Sequence, residues 1–216
     1  MRTIYCLLFI LLKFSNCLNA QKKAPTFLLD IPDTEISLSS SASKEKETLP
    51  YKSVSFIDAR PERYVCGFYT KDNGSSGKYI FKSVLENEFG KYVSGNFRLT
   101  SDTTELLIAV KKFWISDFLT DTLIFGKKSN ERTIVMETEA YQKNHDYYTA
   151  FFRMDTVIKF TVNSPTLNGE DVCLNGLEIL FDKCIIMSQT QISKQKRKFS
   201  LEDIQHHLDE KFSMHI

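Results

Sequence analysis

From Glu105 to Leu119 the chain reads ELLIAVKKFWISDFL, an apolar run that turns into an alternation. In an extended chain, Leu106, Ile108, Val110 and Trp114 fall on one side, and Leu107, Ala109, Phe113, Ile115 and Leu119 on the other. An opening that is apolar on both faces and rich in β-branched and aromatic residues predicts a strand covered on both sides. The stretch is therefore expected to be the central strand of a sheet. Arg132–Tyr141 and Phe151–Val162 alternate in the same way, with turns expected at Gly126–Asn130 and Asn144–Asp146. Together they predict an antiparallel meander from Leu106 to Val162.

Upstream, Tyr51–Ala59 alternates as a strand and stops before Pro61, which cannot donate to a ladder. Val65–Thr70 predicts a second short strand, and Asp72–Gly77 a turn-rich loop. The spacing of Ile80, Val84, Leu85, Phe89 and Tyr92 predicts a helix over Tyr79–Val93, with Gly95 near its C-terminal stop. Downstream, the period changes over Glu170–Met187. Cys173, Leu177, Leu180, Cys184 and Met187 form one stripe, widened by Leu174, Phe181 and Ile185. Asn175, Glu178, Asp182 and Lys183 lie opposite. Gly176 inside this helix costs about 1 kcal/mol relative to Ala. A last helix is predicted after Ser200, which suits an N-cap with Asp203 at N3 and a Phe199–Ile204 staple. Leu201, Ile204, Leu208 and Phe212 make its apolar stripe.

The N-terminus has a different pattern. Arg2 precedes an apolar core at Ile4–Leu12, which is nine residues long, too short to span a bilayer, and interrupted by Lys13. This order predicts an export signal over Met1–Ala20, cleaved before Gln21. Cys17 leaves acylation open as an alternative. Gln21–Pro50 contains a serine-rich run, Ser37–Ser43, and alternating charges at Lys44–Glu47, the composition of a flexible linker. Thr26–Ile31 is its one apolar stretch, a short strand or docking peptide. The expected organisation is a signal at 1–20, a linker at 21–50, a domain at 51–190, and a basic tract with an amphipathic helix at 191–216.

The 216 residues are 42% hydrophobic and include 17 Phe and 9 Tyr, enough for a sizeable core in one domain. A formal net charge of +1 argues against a nucleic-acid binder. No second apolar run predicts a transmembrane helix in the mature chain. The basic tract Lys194–Lys198 suits anionic head groups or a solvated linker.

Candidate chemistry is sparse. Asp58, Arg60, Glu62 and Arg63 cluster at a strand end and are the candidate ligand-binding residues. Two carboxylates there suit acid–base work, and a local Asp–Arg pair at a strand terminus suits the same residues. Gly74–Lys78 resembles a phosphate loop, but Asp72 and Tyr79 stand where that motif needs Gly and Ser or Thr. Glu202, His206 and Glu210 share a helix face, whereas His206 and His207 diverge by about 100°. Cys66 with His145 is the one thiol–imidazole combination. Cys173 and Cys184 lie about 16 Å apart along one helix, too far for a disulfide. No catalytic residue, metal or cofactor is expected.

Val54–Leu119 carries a composite pattern: a strand closing in Asp58-Ala59-Arg60-Pro61, then Gly67, the helix at Tyr79–Val93 and the apolar strand at Leu106–Leu119. This order resembles the YajG-like family of bacterial envelope lipoproteins, although the chain departs from it around the lipidation cysteine. The resemblance implies a non-catalytic envelope component in which Asp58, Arg60 and Gly67 are structural positions. The expectation is an α+β domain, an antiparallel-rich sheet of about five strands with helices packed on one face. The expected role is a non-enzymatic exported protein of the periplasm or envelope, binding an envelope protein or a small ligand. The alternative is a small hydrolase built on Asp58 and Glu62.

Overall fold

The structure is a computed structural model that describes residues 33–38, 45–70, 76–100, 104–124, 127–162, 169–189 and 198–206. The expected signal, Cys17, Thr26–Ile31, Gly74, Lys194–Arg197, His207, Leu208, Glu210 and Phe212 lie outside these residues. The architecture is α+β. Eight strands form one mixed sheet: β1 (Thr34–Ile36), β3 (Ser53–Asp58), β4 (Val65–Thr70), β5 (Ser76–Phe81), β7 (Glu105–Ile124), β8 (Lys127–Asn144), β9 (Tyr147–Val162) and β10 (Lys198–Phe199). Two short strands, β2 (Glu47–Leu49) and β6 (Phe97–Leu99), pair separately and in parallel. The helices are α1 (Leu85–Asn96), α2 (Gly169–Gln189) and a short helical segment, α3, at 201–206.

The expected meander is present. β7 pairs antiparallel with β8, and β8 with β9, through a tight turn in which His145 takes φ of 59°. The other edge of β7 is not antiparallel. β3 lies parallel along its first half, Ser53 to Asp58 beside Glu105 to Val110, and β4 lies parallel along Ile115–Asp117. Parallel neighbours need a crossover, which α1 supplies between β5 and β7. The sheet is therefore larger than the expected five strands and mixed in direction. β8 begins at Lys127, so 127–130 of the expected turn is strand instead, and Gly126 lies outside the described residues.

β7 does not alternate strictly. Val110 faces Thr138 and Lys112 faces Glu137, so Lys111 is an extra residue, a β-bulge. One inserted residue exchanges the two faces beyond it. Leu106, Ile108 and Val110 therefore share the helix-covered core with Phe113 and Ile115, and Trp114 stays outside that core and packs edge-to-face on Phe68, at 5.3 Å between ring centres.

The main core lies between the sheet and helices α1 and α2. Phe89 of α1 is its aromatic centre, meeting Phe56, Phe81 and Phe113 edge-on or nearly so at 5.3, 6.0 and 5.6 Å. Cys173, Leu177, Leu180, Phe181 and Cys184 of α2 are fully buried, the face its spacing predicts. Gly176 has a packing reason, since a Cβ there would approach Ile134 Cδ1 to 2.8 Å. The opposite face holds a smaller cluster of Ala59, Leu107, Ala109, Tyr141 and Ile204, so α3 covers the side that the two long helices leave open. Leu201, expected in its apolar stripe, is exposed.

Two expectations need correction. The helix predicted over Tyr79–Val93 starts only at Leu85, because Tyr79–Phe81 pairs with β4 on one side and β1 on the other. Gly95 does not stop it, and the chain passes directly into β6 at an extended Phe97. The segment assigned to a linker over 21–50 is built into the fold where it is described. Leu38 and Leu49 are fully buried, and β1 and β2 both join sheets.

Candidate functional site

Asp58 and Arg60 come together as the strand-end pattern suggested, but they form a closed unit. Asp58 ends β3, and the Arg60 N–H folds back onto its carboxylate at 3.2 Å, an Asx-type turn. Arg60 Nε and Nη2 then donate to the two carboxylate oxygens, each at 2.8 Å. Remaining guanidinium hydrogens reach the carbonyls of Val65 and Arg63, and the plane lies 5.6 Å from the Phe81 ring centre. Both residues are buried. This fork-on-fork pair stitches the 59–64 excursion shut between the two strands that flank one edge of β7. Both carboxylate oxygens accept from Arg60 inside the fold, an arrangement that suits a structural ion pair better than proton transfer. Glu62 and Arg63 are exposed and stand outside the pair. Glu62 accepts the Tyr64 N–H at 3.3 Å.

The cysteines are equally unsuited to chemistry. Cys66, Cys173 and Cys184 are free and buried. Burial pushes the Cys66 and Cys184 thiols up to about 12, and Cys173 well above its ordinary value. His145 sits exposed on the β8–β9 turn, apart from the Cys66 thiol in the core. Among the described residues, no three His, Cys, Asp or Glu side chains are grouped to hold a metal ion.

A cavity lies on the second face of the sheet. It measures about 590 Å³, within the range of small-molecule clefts. Its floor is β8 and β9, with Glu139, Tyr141 and Phe151 on it, and its wall is the C-terminal segment, with Phe199, Asp203 and His206. A bulge shapes this floor, since Ala140 faces Phe152 and Tyr141 faces Ala150, leaving Phe151 extra on β9.

The wall is held by several weak contacts. β10 pairs with β9 at Thr149 and Tyr148, and the Lys198 ammonium lies 4.1 Å from the Tyr147 ring centre. Ser200 and Asp203 form the predicted box. The Asp203 N–H donates to Ser200 Oγ at 3.0 Å, and the Ser200 N–H donates to Asp203 Oδ2 at 2.7 Å. Ile204 is buried, completing the staple with Phe199.

The polar groups on the floor are organised through Glu139. It pairs with the buried ammonium of Lys111, the bulge residue of β7, and accepts the Tyr141 hydroxyl at 2.8 Å. Burial, reinforced by Glu139, raises the Tyr141 phenol above its ordinary value, so it stays a neutral donor. The sequence analysis did not single out Lys111, Glu139 or Tyr141. The one local signal is the Lys111–Lys112 pair interrupting an apolar strand. The expected Glu202–His206–Glu210 face places His206 at the cleft and Glu202 in solvent.

No family model and no curated protein matches the chain. Four solved chains are similar to this one, among them two of low identity. One is described only as an uncharacterised protein, with 9% identity, a TM-score of 0.39, and coverage of 72% of this chain and 98% of that one. The other is protein XCC0632 from Xanthomonas campestris, of family DUF330, with 10% identity, a TM-score of 0.43, and coverage of 73% and 97%.

Proposed function

We propose that this is a non-enzymatic exported protein of a bacterial envelope that binds a small amphipathic ligand or an envelope partner in the cleft between β8–β9 and the C-terminal segment. One observation carries the binding role. The cavity there brings the aromatic Tyr141, Phe151, Phe152 and Phe199 together with the polar Glu139, Arg153, Asp203 and His206, a lining suited to an amphipathic ligand. The acid–base alternative at Asp58 and Glu62 has no support in the geometry, since Arg60 occupies both oxygens of Asp58. The cleft carboxylates also have structural duties, Asp203 in the cap and Glu139 with Lys111 and Tyr141.

Export rests on the order of charge, apolar core and polar exit over Met1–Ala20. Mass spectrometry of the mature protein tests it, because a Gln21 start, an acylated Cys17 and an unprocessed chain differ in mass. Only the unprocessed chain contradicts export. The cleft is tested with the fluorescent probe anilinonaphthalene sulfonate. Saturable binding of one probe per chain, abolished by Ala150→Trp with unchanged circular dichroism, supports it. Binding that survives the filled cleft refutes it.

A further inference from the structure

β9 pairs with β8 along one edge from Tyr147 to Val162, but β10 covers its other edge only at Tyr148 and Thr149. From Ala150 to Val162 no other strand among the described residues pairs with that outer edge. The stretch contains no proline, and its one bulge, at Phe151, lies at the end nearest β10. A long, regular edge of this kind is a template for another strand.

The charges on the edge strand are unbalanced within the chain. Arg153 pairs with Glu137 and Lys159 with Glu131, both on β8. Asp155 instead lies opposite Glu137, a like charge, and pairs with no cation among the described residues. Like charges directly opposite each other destabilise a sheet. Val157 sits between Asp155 and Lys159 on the same face and is 55% exposed.

We infer that a second copy of this chain pairs with this edge, β9 against β9, about a two-fold axis through Val157. In an antiparallel pair of identical strands, each residue before the central one faces the residue equally far after it. Charge selects the centre. Centring on Asp155 sets that carboxylate against itself, and centring on Thr156 sets Arg153 against Lys159. Centring on Met154 pairs Arg153 with Asp155 but drives Lys159 and Phe160 of the copy onto Thr149 and Tyr148, which β10 already holds. Centring on Ile158 forms no charge pair. Centring on Val157 sets Asp155 opposite Lys159 twice and spans 152–162 without reaching β10. It supplies the cation that Asp155 lacks, and the exposed Val157 packs on its own copy. On the core side it sets Met154 opposite Phe160 and Thr156 opposite Ile158, extending the apolar face to which Met154, Ile158 and Phe160 already belong. The two eight-stranded sheets become one.

Sedimentation velocity of the full chain over a concentration series tests the pairing. A species of twice the 25.0 kDa chain mass is expected, with dissociation on the order of 10 µM for so narrow an interface. Asp155→Lys alone, or Lys159→Asp alone, sets two like pairs across the axis and should weaken it at least about tenfold. Mixing those two variants brings opposite charges together again, so the mixture should dimerise where neither variant does by itself. Val157→Cys should form a disulfide with its own copy under mild oxidation, because directly opposite residues lie about 4.5–5.5 Å apart at Cα. Circular dichroism should be unchanged in all three variants, since these side chains are exposed. The inference is overturned if the chain stays monomeric at about 0.5 mM, if either charge variant dimerises as well as the parent, if mixing restores nothing, or if Val157→Cys fails to cross-link a dimeric chain. A monomer in which alternate amides of 152–162 resist hydrogen exchange marks a segment of its own chain on the edge, and it overturns the inference as well.

Discussion

The carboxylate of Glu88, fully buried in α1, accepts a 2.9 Å hydrogen bond from the backbone N–H of Leu38, fifty positions earlier in the chain. Ser83 and Lys91 complete its shell, the lysine at 2.7 Å. Burial alone opposes the charge, but these donors outweigh it and hold the carboxyl below its ordinary value. The sign follows directly. A carboxyl depressed in the folded state stabilises the fold above its unfolded pKa, and that stability is lost as pH falls through the depressed folded value. Glu88→Gln should therefore cost about 1.5–3 kcal/mol at neutral pH and flatten the acid limb of the stability curve. Urea titrations at stepped pH read both, and an unchanged acid limb refutes the assignment.

The same contact predicts the outcome of truncation. A chain beginning at Tyr51 lacks β1, the Leu38 amide and the buried Leu38 and Leu49 side chains. Burying a leucine is worth about 1.5–3 kcal/mol, so losing two removes a large share of a typical domain's stability. Near-UV circular dichroism should collapse in this shortened chain. A retained signal would mean that 33–50 is dispensable after all.

Gly67 takes φ of 159°, and a Cβ there would lie 2.1 Å from the Ile115 carbonyl oxygen of the neighbouring strand. The obstacle is backbone and cannot swing away. Gly67→Ala should fall in the severe tail of single substitutions, above about 4 kcal/mol. Thermal melts of this variant against Gly90→Ala, where a Cβ meets nothing within 4 Å, isolate the effect.

Breaking the Asp58–Arg60 fork from one side strands a buried charge. Asp58→Ala should cost about 3–5 kcal/mol, and pairing it with Arg60→Met should recover part of that loss. A double-mutant cycle measures the coupling. Additive losses would show that the two side chains do not act as a unit.

The three buried thiols should resist maleimide in the native state and react after denaturation, because burial disfavours the thiolate. Non-reducing peptide maps should contain no Cys173–Cys184 cross-link, since both lie on α2.

What the sequence determined by itself was local. Periodicity located β7, β8, β9 and the buried face of α2, because a half-buried strand or helix writes its period into its own residues. The Ser200–Asp203 cap was legible for the same reason: four consecutive positions contain both donors and acceptors. The Asp58–Arg60 pairing was readable from spacing, but its saturation depended on carbonyls at Val65 and Arg63 and on the Phe81 ring. The tertiary structure alone decided the rest. Lys111 bulges because of its register against β8, and that one residue moved Phe113 and Ile115 into the main core and left Trp114 outside it. Tyr79–Phe81 has helical spacing but gains more by pairing with two strands. Polar-looking 33–38 and 45–50 join the fold because two of their leucines and one amide find partners far along the chain. The cleft, too, is walled by segments distant in sequence, and no local pattern encodes a distance between such segments.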